Sequence, residues 1–290
     1  MPTVDVHQHL WPEPLIEVLS RRRSAPRLAG TMLELPGEPP FEIDLGLHSL
    51  DARLALLDRW ELEVAIVSLA PTFGLGVLPD DEWEELATAF ERGILELRTA
   101  SDRIVPLAAG VDSEGFVGAC LAAPSLLDLD GLAPRLDALE QRSAFLFVHP
   151  GPSSPPAWAP AWWSAVVDHT AQMQTAYAAW LARGAERWPR LDVVFAILGG
   201  GGPFQLERLQ SRGVSGRESL HETVYFETSS YGRRALELCL STFGVGRVVF
   251  GSDAPTLDPG PTLDAVRAFG DAVADALCNQ NPSRLLAREA

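Results

Sequence analysis

The sequence predicts an α/β fold, a (β/α)8 TIM barrel with a short lid insertion after the first strand. Two observations predict it. Short apolar, β-branched runs alternate with longer stretches of helical period along the whole chain, and residues able to bind a metal stand at the C-terminal tips of the first, fifth and eighth runs. Alternation implies parallel strands, and eight is the number that closes a barrel. A doubly wound open sheet fits the alternation nearly as well; the placing of the candidate ligands at distant strand tips favours closure.

In chain order the expected strands are Thr3–Val6, Val64–Leu69, Ile104–Gly110, Phe116–Ala122, Ala144–Val148, Asp192–Ala196, Thr223–Glu227 and Arg247–Gly251. Amphipathic helices are expected over Asp51–Trp60, Asp81–Ala100, Trp162–Trp188, Arg233–Phe243 and Leu263–Leu277. Residues 21–50 break this rhythm. Arg21–Arg23 is followed by Pro26, Pro36, Pro39 and Pro40 before the helical pattern resumes at Asp51. The segment reads as an insertion over the barrel mouth, a lid or small hairpin. Its arginine run is either a solvated helix end or an anion site. A second Pro- and Trp-rich stretch, Gly151–Trp163, follows the fifth strand and is a candidate for another wall of the cleft. With no repeat beyond the βα unit, residues 1–290 read as one domain.

Composition narrows the function classes. At 47% hydrophobic and 21% charged residues the chain is of ordinary globular type, and one of 290 residues can bury a large core. A net charge of −16 opposes nucleic-acid and anionic-membrane partners and leaves a small-molecule substrate. All 23 basic residues are arginine, which excludes a Schiff-base lysine, a P-loop lysine and a carbamylated lysine bridging two metals. Cys120, Cys239 and Cys278 lack CxxC spacing and read as buried free thiols in a reducing compartment. No apolar run approaches the ~18 residues of a membrane span, and the N-terminus carries no leader pattern, so a cytoplasmic protein is expected.

The chemistry begins at Val4-Asp5-Val6-His7-Gln8-His9. Residues two apart on a strand point the same way, so His7 and His9 project together at the end where barrel active sites are built. Two adjacent imidazoles in a core are costly unless something occupies them. His149 closes the apolar run Phe145–Val148 and Asp253 closes Val248–Ser252. Alone, His149 is as readily a satisfied core residue, and Asp253 as readily a helix N-cap. Together the four suit one divalent ion, zinc first and manganese second, with room for a water.

On VDVHQH, FLFVHPG, ILGGGGPFQLER, YFETSS, VVFGSDAPT and CNQNPSRLL the chain resembles the amidohydrolase superfamily, in the amidohydrolase-2 branch that includes aminocarboxymuconate-semialdehyde decarboxylase. The resemblance implies that His7, His9, His149 and Asp253 hold the metal and that Asp253 also shuttles a proton. The missing lysine agrees with a mononuclear site. Family members are often dimers, so the resemblance also implies a homodimer. One position departs from the family pattern H-x-G-G-x-x-P: Ile197 stands where a histidine that orients or deprotonates the metal-bound water belongs. His169, in the helix after the fifth strand, is either a base from another direction or a solvent-facing helical residue. Gly199–Gly202 is either an anion-binding turn or a tight turn that brings strand and helix together. Ser229 and Tyr231, after the seventh strand, are candidate substrate hydrogen-bonders, and by resemblance Trp163 belongs to the substrate wall. His48 and Glu42 lie in the insertion. Related decarboxylases carry a substrate-carboxylate arginine in that region, but Phe41-Glu42 is acidic.

Three readings follow. The first is a metal-dependent hydrolase of a small cyclic or aromatic molecule, working by metal-activated water with Asp253 as proton shuttle. The second is a non-oxidative decarboxylase of an aromatic or unsaturated acid, in which no attacking water is needed. The third is a degenerate barrel that only binds a metal or ligand.

Overall fold

The computed structural model describes residues 3–110, 115–214 and 221–286. Its framework is eight short parallel strands: β1 (Val4–Gln8), β5 (Val64–Val67), β6 (Ile104–Pro106), β7 (Gly118–Ala122), β8 (Phe145–His149), β9 (Val193–Phe195), β10 (Val224–Glu227) and β11 (Val248–Val249). Helices lie between most of them, so both faces of each strand are covered. Every residue of β7, β8, β9 and β10 is accordingly buried.

Regular pairing does not run round the whole ring. It falls into a three-stranded sheet, β1-β5-β6, and a five-stranded sheet, β11-β10-β9-β8-β7. At one seam the isolated bridge Ala108↔Ala119 joins the sheets. At the other, Gln8↔Ala254 does so, supported by Val6 N–H to Phe250 O at 3.0 Å and Asp253 N–H to His7 O at 2.8 Å. The expected unbroken barrel is therefore met in strand direction and order, but not in continuous pairing. Within each sheet every neighbour is the next framework strand along the chain, without the reversal that defines a doubly wound sheet.

The insertion forms an antiparallel three-stranded sheet, β2 (Arg27–Ala29), β3 (Met32–Glu34) and β4 (Phe41–Glu42), followed by a 3-10 turn over Leu45–His48. Expected helix Arg233–Phe243 has those bounds. Expected helix Leu263–Leu277 is broken instead, ending at Arg267 and resuming at Asp271, because Gly270 turns the chain at φ +94°. The helical stretch from Ser164 to Arg187 widens to π turns at Ser164–Asp168 and Trp180–Gly184. Among the described residues no helix is long and apolar enough to cross a membrane. Cys120, Cys239 and Cys278 are buried and unpaired.

Candidate metal centre

Strand tips bring the four expected ligands together. His7 and His9 come from the end of β1, His149 from the end of β8 and Asp253 from the turn after β11. One donor atom from each lies within 4.8 Å of the others. His7 Nε2 is 3.3 Å from His9 Nε2, and Asp253 Oδ1 lies 3.6 Å from the first and 3.1 Å from the second. The imidazoles of His7, His9 and His149 meet edge to face with centroids 5.0–5.2 Å apart. Asp253 reaches this point from a left-handed backbone, φ +66°, pinned by its N–H to the His7 carbonyl.

The other imidazole nitrogens decide what the centre can hold. His7 Nδ1 faces the Glu227 carboxylate at 3.0 Å, His9 Nδ1 the Ser68 carbonyl at 3.1 Å and His149 Nδ1 the Pro150 carbonyl at 2.8 Å. These oxygens only accept, so each Nδ1 carries a proton, and each Nε2 offers its lone pair once the ring is neutral. Unshielded lone pairs converging beside a carboxylate repel one another unless a cation lies among them. Burial works against a charged His7, but Glu227, Asp253 and Asp5 outweigh it and take its pKa up to about 9. Burial would likewise raise Asp253, and the neighbouring His7 and His9 hold it below the usual carboxylate range. Burial, then His7 and His9, drive His149 well down. Three imidazoles and a carboxylate that converge at one point make a donor set that fits a divalent ion.

Glu227 is the residue that sequence reasoning missed. It is fully buried at the tip of β10 and accepts from Ser229 Oγ at 2.8 Å, Ile197 N–H at 3.1 Å and the Ser229 N–H. Gly251 makes room for it, since a Cβ there would collide with the carboxylate. The signal was one acid inside the otherwise apolar run Val224-Tyr225-Phe226-Glu227. Behind β1 a second network fixes the ligand-bearing turns. Buried Arg53 donates to His9 O at 2.8 Å, Ala254 O at 3.3 Å and the Gln8 side chain, and Gln8 Nε2 donates to Asp5 Oδ2 at 2.7 Å. Burial raises Asp5 to about 6 and lowers Arg53 to about 10.

A cavity of about 480 Å³ opens over the centre, lined by His9, His149 and Asp253 and walled by the insertion through Leu33, Leu35 and His48. His169 lines it too, so it does not face solvent; its Nε2 stands 3.9 Å from Glu38 Oε1. The other expected substrate residues lie elsewhere. Trp163 turns away because its indole N–H donates to Asp168 at 3.1 Å and its ring packs with Trp158 and Trp162, leaving Ala161, Ser164 and Ala165 on the cavity. Ser229 is fully buried behind His7, held by Glu227, and Tyr231 packs against the core; neither lines the cavity. Ile197 begins a left-handed run, with φ from +45° to +84° over 197–201. At Gly200 a Cβ would collide with the Thr170 carbonyl, so the glycines serve close strand–helix approach.

A parallel α/β framework carrying three histidines and one aspartate at its strand tips defines a class of metal-binding enzymes. Residues 4–288 match the amidohydrolase family profile, and the chain belongs to that family. Compared with curated proteins, it shows no significant sequence match. Among solved structures it is similar to Metarhizium anisopliae IDCase in apo form, at TM-score 0.80 and 21% identity over 100% of this chain and 98% of that one. It is similar to the 2,6-dihydroxybenzoate decarboxylase from Rhizobium at TM-score 0.73 and 16% identity, over 100% of each chain. A third similar structure is 5-carboxyvanillate decarboxylase from Novosphingobium aromaticivorans complexed with manganese, at TM-score 0.73 and 16% identity over 99% and 96%. At these identities the likeness establishes the fold.

Proposed function

We propose that the protein is a metal-dependent, non-oxidative decarboxylase acting on a small aromatic or unsaturated acid, in place of the hydrolase that led the sequence reading. The observation that carries this is the end of β9. Ile197 stands there, and its backbone N–H serves Glu227, so no side chain at that strand end takes a proton from an attacking water. Decarboxylation needs only a seat for the carboxylate and one proton carrier. The decarboxylases among the similar structures support the same choice.

A divalent ion held by His7, His9, His149 and Asp253 would supply Lewis-acid attraction for the substrate carboxylate and a neighbouring oxygen. Zinc suits the donor set, and the manganese of one similar structure makes that metal the second candidate. The chain's own residues do the rest. Asp253, ionised at rest, would take the proton of the substrate's acid or hydroxyl group as it binds and pass it to the carbon bearing the carboxylate; the C–C bond then breaks, its electron pair returns to the unsaturated system at that carbon and CO2 departs. The insertion walls one side of the cavity through Leu33, Leu35 and His48, and Trp11, stacked on His48 at 4.0 Å, lines it beside Phe73.

The test is CO2 release from a panel of hydroxybenzoates and unsaturated acids by zinc- and manganese-loaded protein, beside lactone, ester and amide panels. CO2 release that Asp253→Asn lowers by about 10²–10⁴ supports the proposal. Metal-dependent hydrolysis without CO2 release refutes it.

A further inference from the structure

The cavity has a charge pattern that decarboxylation does not itself require. Beyond Asp253 it takes Glu38, Glu42 and Asp44 from the insertion, and among the described residues no arginine lines it in a chain without lysine. Among the described residues none of these three carboxylates pairs with an arginine. Glu38 accepts from Ser153 Oγ at 3.0 Å, Glu42 from Thr31 Oγ1 at 3.2 Å and Asp44 from Gly46 N–H at 2.9 Å. Glu38 is the most enclosed, its side chain 19% exposed, while Glu42 and Asp44 are exposed at the mouth. The lining histidines away from the metal do not offset them: burial lowers His169 and holds His48 down to about 3.

His169 and Trp11 both line the cavity, and Trp11 is 7% exposed. Phe73 meets Trp11 edge-on at 5.1 Å and lines the cavity too. A single-ring ligand fits about 480 Å³, lying against these aromatic faces with one end on the metal centre and the other toward the insertion.

We infer that the enzyme takes monocarboxylic ring acids carrying a cationic nitrogen at the end remote from the departing carboxylate, and discriminates against di-acids. The inference rests on the decarboxylase reading for the identity of the leaving group. A carboxylate at the metal end is matched by the ion. A second one, at the insertion end, meets three like charges and no cation, whereas an ammonium there is attracted by all three. The nitrogen takes no part in bond making: one proton is consumed, CO2 leaves and the ammonium is unchanged.

The experiment uses three 2-hydroxybenzoates that differ at one ring position, bearing aminomethyl, hydroxymethyl or carboxylate. Calorimetric affinity for zinc-loaded protein and CO2 release are measured on each. The aminomethyl compound is expected to bind more than about tenfold tighter than the di-acid, with an advantage that added salt shrinks. In the variant Glu38→Gln/Glu42→Gln/Asp44→Asn that advantage should fall below about threefold. A di-acid bound as tightly as the amine, or a preference untouched by the triple substitution, overturns the inference. The wild-type series decides by itself if the variant does not fold. The two proposals separate cleanly: selective amine binding without CO2 release keeps the acidic wall and removes the decarboxylase. CO2 release that favours the di-acid does the reverse.

Discussion

In the proposed metal centre His7 can serve as a ligand only because another residue decides where its proton sits. Glu227 holds the proton on Nδ1 from 3.0 Å and frees Nε2 toward the donor cluster. Glu227→Gln keeps the shape of the side chain but loses the charge, and metal affinity should drop about 10–100-fold with the fold intact, as titration calorimetry with zinc would read. His48 offers a test of burial instead. Its pKa is lowered to about 3 from 6.5, so below pH 6.5 the unfolded chain binds a proton that the folded one refuses. Folding stability of metal-free protein should therefore fall with acidification between about 6.5 and 3, by up to about 1.4 kcal/mol per pH unit from this residue. His48→Phe retains an aromatic stack on Trp11 and should flatten that slope in denaturant titrations across pH. At this scale His7, His9, His149 and Asp253 were legible because strand period and strand-tip position place them. Glu227 was not, since its partner His7 lies 220 positions away in sequence. Trp163, Ser229 and Tyr231 do not line the cavity, because a position after a strand tip does not say which way a side chain turns.

Element boundaries followed the apolar runs to within a few residues, and helix Arg233–Phe243 is met to the residue. Pattern failed where a single backbone angle rules. Helix Leu263–Leu277 keeps its apolar period across Gly270 and yet breaks there. The run Ile197–Gly201 is the opposite case, in which consecutive glycines spell a conformation that few other residues adopt. Gly200→Ala adds a Cβ that meets the Thr170 carbonyl at φ +62°, which should cost roughly 2–4 kcal/mol in denaturant unfolding. Gly30→Ala, at φ +65° with open space around it, isolates the backbone share of that penalty and should cost less.

For the whole molecule, alternation and strand-tip chemistry were enough to anticipate eight parallel strands around one centre. The seams between the two sheets were not legible, because hydrogen-bond continuity depends on register and not on composition. Nor was the acidic cavity wall, which forms only when the insertion folds over the tips of β1 and β8. Everything proposed for the reaction depends on those tips holding one divalent ion. The direct measurement is calorimetric titration of metal-stripped protein with zinc and manganese, alongside the variant His7→Ala/His9→Ala. One equivalent taken up by the wild type and none by the variant is the predicted result. No uptake by the wild type, or undiminished uptake by the variant, would contradict the account.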